Sequence, residues 1–445
     1  MTSYWCEHAL LEDGSVAAGV TVEISAGVIT GLSVDQPSGD RNRLAGLTIP
    51  GLANCHSHAF HRALRGRTQR GAGSFWTWRD QMYSLAGRLD PDTYYDLARA
   101  VYREMAAAGV TSVGEFHYLH HAADGSPYDD PNVMGRALIA AARDTGIRIA
   151  LLDTCYLAAG IGSQPEGVQT RFSDGDASTW QDRVERLATH IDTGGDPGVV
   201  AGAAVHSVRA VARDALPLVA GWAKAGARPL HVHVSEQVAE NEACQGAYGR
   251  SPTELLADGD VLGALTSAIH ATHLSEHDIV LLGESRTAAC FCPTTERDLG
   301  DGIGPARALQ AAGSPLTLGS DSHAVIDPFE EMRALELDER LATQSRGHWS
   351  AVELLAAGTT SGHASLGFAD AGRISVGAPA DLVTLDLRTT RTAGSGPNPE
   401  TAVFAAAAAD VVQVICAGRV VATREDHQEI GRELESAIAA AWSDP

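Results

Sequence analysis

The sequence predicts an α/β fold: a (β/α)8 TIM barrel joined to a small β-sandwich domain that the N- and C-terminal segments build together. Three observations predict it. Eight short apolar, β-branched runs recur between residues 47 and 323, helical signals fill the gaps between them, and strand-like alternation appears at the two chain ends.

The runs are Leu47–His58, Thr111–Tyr118, Ile147–Tyr156, Val199–Val208, Arg228–Glu236, Ser267–Leu274, Thr287–Thr294 and Pro315–His323. Each reads as buried on both faces, as parallel strands covered by helices are. Helix patterns lie over Pro91–Ala108, Pro131–Thr145, Thr179–Thr193, Ala212–Ala225 and Pro305–Ala312, several with proline in the first turn, where no N–H is needed. At the ends, Ser15–Val34, Ile374–Leu387 and Val411–Ala422 alternate around glycine-containing turns. The expected organisation is a small β domain from residues 1–48 and 373–423, a barrel over 49–372 and a terminal helix at 424–445, with Thr389–Pro399 as a surface loop.

Composition narrows the function. With 33 basic against 56 acidic residues the net charge is −23, a field that repels phosphate backbones and anionic lipid, so neither nucleic acid nor membrane is an expected partner. The start has no basic stretch followed by an apolar one, and no run of about 18 apolar residues occurs, which predicts a cytoplasmic protein. The seven cysteines are scattered and predict neither disulfides nor a zinc ribbon, with Cys290 and Cys292 serving barrel packing. Lys224 is the only lysine, so lysine-nucleophile chemistry or a phosphate-binding loop would have to use it.

In a barrel of this kind the C-terminal strand ends build the site. The first run ends in NCHSH, and residues two apart on an extended chain point to one side, so His56 and His58 can offer two nitrogens to one metal. The fifth ends in LHVHVSE and the eighth in LGSDSH, adding His233, Glu236 and Asp321. His231 has the same parity as His233 but lies one layer deeper, as an interior histidine. Three imidazoles and a carboxylate suit one zinc ion per chain, with water completing its sphere. The fourth run has no lysine to bridge a second metal, which predicts a mononuclear site. His270 and His273 end the sixth run, and His206 and Arg209 the fourth. For Glu236 the alternative is capping of the following helix.

The motifs GLANCHSHAFHRAL, FWTWRDQMY, GEFHYLHH, AVHSVRAV and HVHVSEQ are similar to those of the amidohydrolase superfamily over almost the whole chain. Within it they most resemble the branch that hydrolyses N-formimidoyl-L-glutamate in histidine degradation, releasing ammonia. The resemblance implies His56, His58, His233 and Asp321 as zinc ligands, with Glu236 and His270 unligated and catalytic. Asp321 would accept the proton of the attacking water, Glu236 would deliver one to the departing nitrogen, and His270 would steady the tetrahedral intermediate. A substrate with two carboxylates needs local cations against the overall field. Arg209, past the fourth run, and Arg79, in the aromatic loop FWTWRD, are the candidates, since a guanidinium grips a carboxylate through two hydrogen bonds. The resemblance adds Tyr118 and His206 as contacts and a homodimer as the expected assembly. It also leads to glutamine where this chain has His61, so an amide contact there becomes an imidazole. Trp76 and Trp78 read as loop anchors, and His117, His120 and His121 as a hydrophilic loop near the mouth. The rival readings are a deaminase of a purine, pyrimidine or triazine, and a non-catalytic binding barrel.

Overall fold

The computed structural model describes residues 2–69 and 75–443, without the side chains of Phe75 and Trp76. Four strands precede the barrel: β1 (Thr2–Leu10), β2 (Val16–Ser25), β3 (Val28–Ser33) and β4 (Asn42–Pro50). Eight form it: β5 (Leu52–Ser57), β6 (Val110–His117), β7 (Arg148–Cys155), β8 (Val199–Val205), β9 (Leu230–Val234), β10 (Thr266–His270), β11 (Ala288–Phe291) and β12 (Leu316–Leu318). Three follow: β13 (Leu382–Leu385), β14 (Val411–Cys416) and β15 (Arg419–Thr423).

The strands β5 to β12 pair in parallel and in chain order, and a parallel bridge between Ser57 and Asp321 links the last to the first. Strands from both chain ends form one mixed seven-strand sheet, ordered β15-β14-β13-β4-β1-β2-β3. The turn AGR joins β14 to β15 through Ala417 and Gly418, with φ of 47° and 75°. Two consecutive positive φ values make the type I′ turn that matches strand twist, and glycine adopts the second at little cost.

Two expectations need correction. The run Leu47–His58 is not one strand: Leu47–Pro50 pairs with β13 in the mixed sheet, and only Leu52–Ser57 enters the barrel. Both halves are buried, and the strand partners, not burial, mark the change of sheet. The FWTWRD segment is not a loop either. Helix Phe75–Ala86 contains it, in a stretch free of glycine and proline.

The mixed sheet and the barrel are joined by a buried ion pair. Arg148, at the start of β7, grips Asp381, just before β13, through Nη1 at 2.5 Å and Nη2 at 3.0 Å, and the Ala417 N–H donates to the same carboxylate at 2.8 Å. Removing one partner strands a buried charge, which typically costs 3–5 kcal/mol. Asp381→Ala should therefore lose about 3 kcal/mol of stability in urea unfolding at constant metal load.

Candidate active site

The barrel strands end at one pocket of about 710 Å³ including its open mouth. Alternation along β5 turns His56 and His58 inward and Ser57 outward. Ser57 Oγ donates to Glu115 Oε2 at 2.6 Å, and the Ala59 N–H donates to Glu115 Oε1 at 2.7 Å. Glu115 thus clamps the backbone on both sides of His58. It is the one acidic residue in β6, and that was the sequence signal for it.

The opposite wall arrives where the barrel closes. A side chain at Gly319 would place a Cβ 2.7 Å from His56 Cβ, so only glycine lets the strands meet. The Ser320 and Asp321 N–H groups both donate to His56 O, at 3.1 and 3.0 Å, while Asn54 exchanges hydrogen bonds with Ser320 at 2.7 and 2.9 Å. Asp321 and His270 take left-handed φ of 39° and 67°, a strained conformation for non-glycine residues that aims both side chains inward.

Two of the three imidazoles are oriented by the rear nitrogen. His58 Nδ1 lies 3.0 Å from Phe116 O and His233 Nδ1 lies 2.9 Å from His206 O. A carbonyl only accepts, so Nδ1 carries the hydrogen and Nε2 keeps its lone pair. Those Nε2 atoms converge: His56 and His233 are 3.0 Å apart, and Asp321 Oδ1 is 3.3 Å from His56 and 3.4 Å from His58. Burial holds all three histidines well below the ordinary imidazole pKa, so they stay neutral. Neutral nitrogens and one carboxylate with no intervening cation are the donor set of a borderline divalent metal, and the residues fit one. His231 is the deeper residue, facing Ser365 O at 3.3 Å.

His270 Nδ1 lies 3.4 Å from Glu296 Oε1, and its Nε2 lies 3.9 Å from Glu236 Oε1 and 3.7 Å from Asp321 Oδ2. Burial opposes its protonation, but the charge of Glu236, the Glu296 bond and Asp321 prevail and hold its pKa well above the ordinary value. Burial raises Glu236, against the charges of His270 and Arg209. Helix Val238–Tyr248 has no side-chain cap, so Glu236 does not serve as one. Behind it Arg209 sits 3.9 Å from both Glu236 and Glu240, and burial raises Glu240 to about 7.

Arg79, Tyr118, His206, Arg209 and His61 all line this pocket, as does Trp78. His61 Nε2 is 3.1 Å from Tyr118 Oη, and its ring centroid is 4.5 Å from that of His58. The Arg79 guanidinium lies over the Tyr83 ring at 5.3 Å. Trp76 falls outside the described side chains. His117, His120 and His121 are buried, not a solvated loop, because a network of charges encloses them. Arg183 bridges Asp153 at 2.7 and 2.8 Å and Asp174 at 2.8 and 2.9 Å, while His121 Nε2 lies 3.3 Å from Asp174. Sequence reasoning missed Glu115, Glu240 and Glu296, and also Tyr83, Tyr156 and Phe172 on the pocket wall.

Residues 47–421 match the amidohydrolase family. The chain is 37% identical over 398 residues to the formimidoylglutamate deiminase of Pseudomonas aeruginosa, covering 87% of this chain and 86% of that one. Among solved structures it is similar to an amidohydrolase from Brucella melitensis, at 32% identity, complete coverage of both chains and a TM-score of 0.90. An adenosine deaminase from Xanthomonas campestris with bound zinc shares the fold, at 22% identity, a TM-score of 0.85 and coverage of 99% of this chain and 98% of that one.

Loss of an outer partner typically weakens metal binding about 10–100-fold, and loss of a direct ligand should do more. His233→Ala is expected to lower zinc affinity at least about 100-fold in competition with a chromogenic chelator, with far-ultraviolet circular dichroism unchanged.

Proposed function

The chain belongs to the amidohydrolase family and is a C–N hydrolase of the deiminase kind, and from that premise we propose that it hydrolyses N-formimidoyl-L-glutamate to N-formyl-L-glutamate and ammonia. One zinc ion would be held by His56, His58, His233 and Asp321. The observation that carries the reading is a single pocket that sets Arg79, Arg209, His206 and Tyr118 beside the imidazole–aspartate group. In a protein of net charge −23, arginines in a pocket are a specific provision for an anionic small molecule. The 37% identity to a formimidoylglutamate deiminase supports the same substrate.

A divalent ion bound there supplies Lewis-acid activation of water near neutral pH. Asp321 directs Oδ1 at the imidazoles and leaves Oδ2 to accept the proton of the water that adds to the formimidoyl carbon. His270, whose Nδ1 faces the Glu296 carboxylate, presents Nε2–H to the charge that develops on the tetrahedral carbon's substituents. Glu236, which burial keeps protonated more readily than an exposed carboxylate, gives its proton to the departing nitrogen. Asp321 passes the water proton to the same nitrogen as the C–N bond breaks, the hydroxyl on the carbon returns its proton to Glu236, ammonia leaves and the formyl carbonyl forms. Arg79 and Arg209 hold the carboxylates, so the reacting carbon rests against Asp321 and Glu236.

A deaminase of a flat, neutral heterocycle is the rival. Such substrates call for apolar walls and amide donors more than for two guanidinium groups.

Ammonia release should be rapid with N-formimidoyl-L-glutamate and negligible with adenosine or guanine, and activity on the heterocycles alone would overturn the reading. Arg209→Met should raise KM with zinc content unchanged. Glu236→Gln should lower kcat about 10²- to 10⁴-fold while retaining the metal.

A further inference from the structure

Gln169 has no part in the reaction as described, yet it is buried against the pocket wall and its amide is fully committed. Its Oε1 lies 3.2 Å from the Glu166 backbone nitrogen, which can only donate, so the carbonyl end of the amide must face Glu166. That leaves Nε2 facing the pocket, and its two hydrogens go to two hydroxyls: Tyr83 Oη at 3.0 Å and Tyr156 Oη at 2.9 Å.

Both hydroxyls are therefore acceptors from Gln169, and each still has one hydrogen to place. A bond between the two hydroxyls would use one of those hydrogens at most. At least one O–H is left for a group that enters the pocket both rings line. Neither ring can turn away freely. Tyr156 packs edge-on to His206 at 4.7 Å and to Phe172 at 5.4 Å, and the Arg79 guanidinium covers Tyr83.

We propose that Gln169 locks Tyr83 and Tyr156 as hydroxyl donors to a carboxylate of the substrate, alongside the arginines. The inference rests on the dicarboxylate reading above and deepens it. Two guanidinium groups supply charge, but a hydroxyl held by a buried amide supplies direction, and a site built to hydrogen-bond a group rejects analogues that lack it. A neutral, apolar ligand in the same place would leave that buried hydrogen unpaired. Gln169 touches no substrate in this arrangement and acts as a positioning residue through the two tyrosines.

Calorimetric titration of the zinc-loaded protein with N-formyl-L-glutamate, and with N-formyl-4-aminobutyrate and N-formyl-L-norvaline, which each lack one carboxylate, tests this. Tyr83→Phe/Tyr156→Phe keeps both rings and their packing. It should weaken N-formyl-L-glutamate about tenfold or more and leave the affinity unchanged for the analogue that lacks the contacted carboxylate. Gln169→Leu should raise KM for N-formimidoyl-L-glutamate in the same direction, with kcat within about twofold and zinc content intact, a split that a merely structural role would not give. Equal affinity of wild type and the double phenylalanine variant for N-formyl-L-glutamate would overturn the tyrosine assignment while leaving the proposed reaction standing. Failure of the wild type both to bind N-formyl-L-glutamate and to turn over its formimidoyl precursor would overturn the reaction itself, and the carboxylate contact with it.

Discussion

The site depends on the seam where the last barrel strand returns to the first. Asp321 reaches the histidines because its own backbone N–H is bonded to His56 O, and because Gly319 has no side chain to hold the two strands apart. Carboxylate and imidazole are thus brought together by the closure of the sheet itself. The left-handed backbone at Asp321 and His270 is strain that this closure sustains, typically about 1–3 kcal/mol for each such residue.

From that seam the electrostatics divide the pocket. On one side, His58 and His233 turn their Nδ1 hydrogens to carbonyls of neighbouring strands, so their Nε2 lone pairs face the pocket. Behind them burial favours a neutral Glu236, while the carboxylates around His270 favour a charged imidazole, the separation of roles that acid and base work requires. On the other side, Arg79 and Arg209 line the same pocket as Glu236 and Asp321, inside an acidic protein.

Much of this was legible in the sequence because strand periodicity carries it. The parity of His56 and His58, the depth difference between His231 and His233, and the strand-end positions of His270 and Asp321 all follow from alternation of two and from the barrel's polarity. What was not legible depends on partners far away in the chain. Leu47–Pro50 and Leu52–Ser57 are both buried, and pairing with β13 and with β6 sends them to different sheets. The histidines of HYLHH look hydrophilic, yet Arg183, Asp153 and Asp174 from later segments make their burial affordable. Gln169 lies in a polar stretch with no pattern, and its role emerges only when its amide is traced to two tyrosines, one of them 86 residues away.

The most direct test of the account is zinc K-edge X-ray absorption on the zinc-reconstituted protein, with His56→Ala as its control. One equivalent of zinc with about three imidazole nitrogens and oxygen donors at roughly 2.0–2.2 Å, one imidazole fewer in the variant and no metal–metal scattering, is the predicted result. Sulfur ligation, a second metal nearby, or a spectrum unchanged in His56→Ala would contradict it.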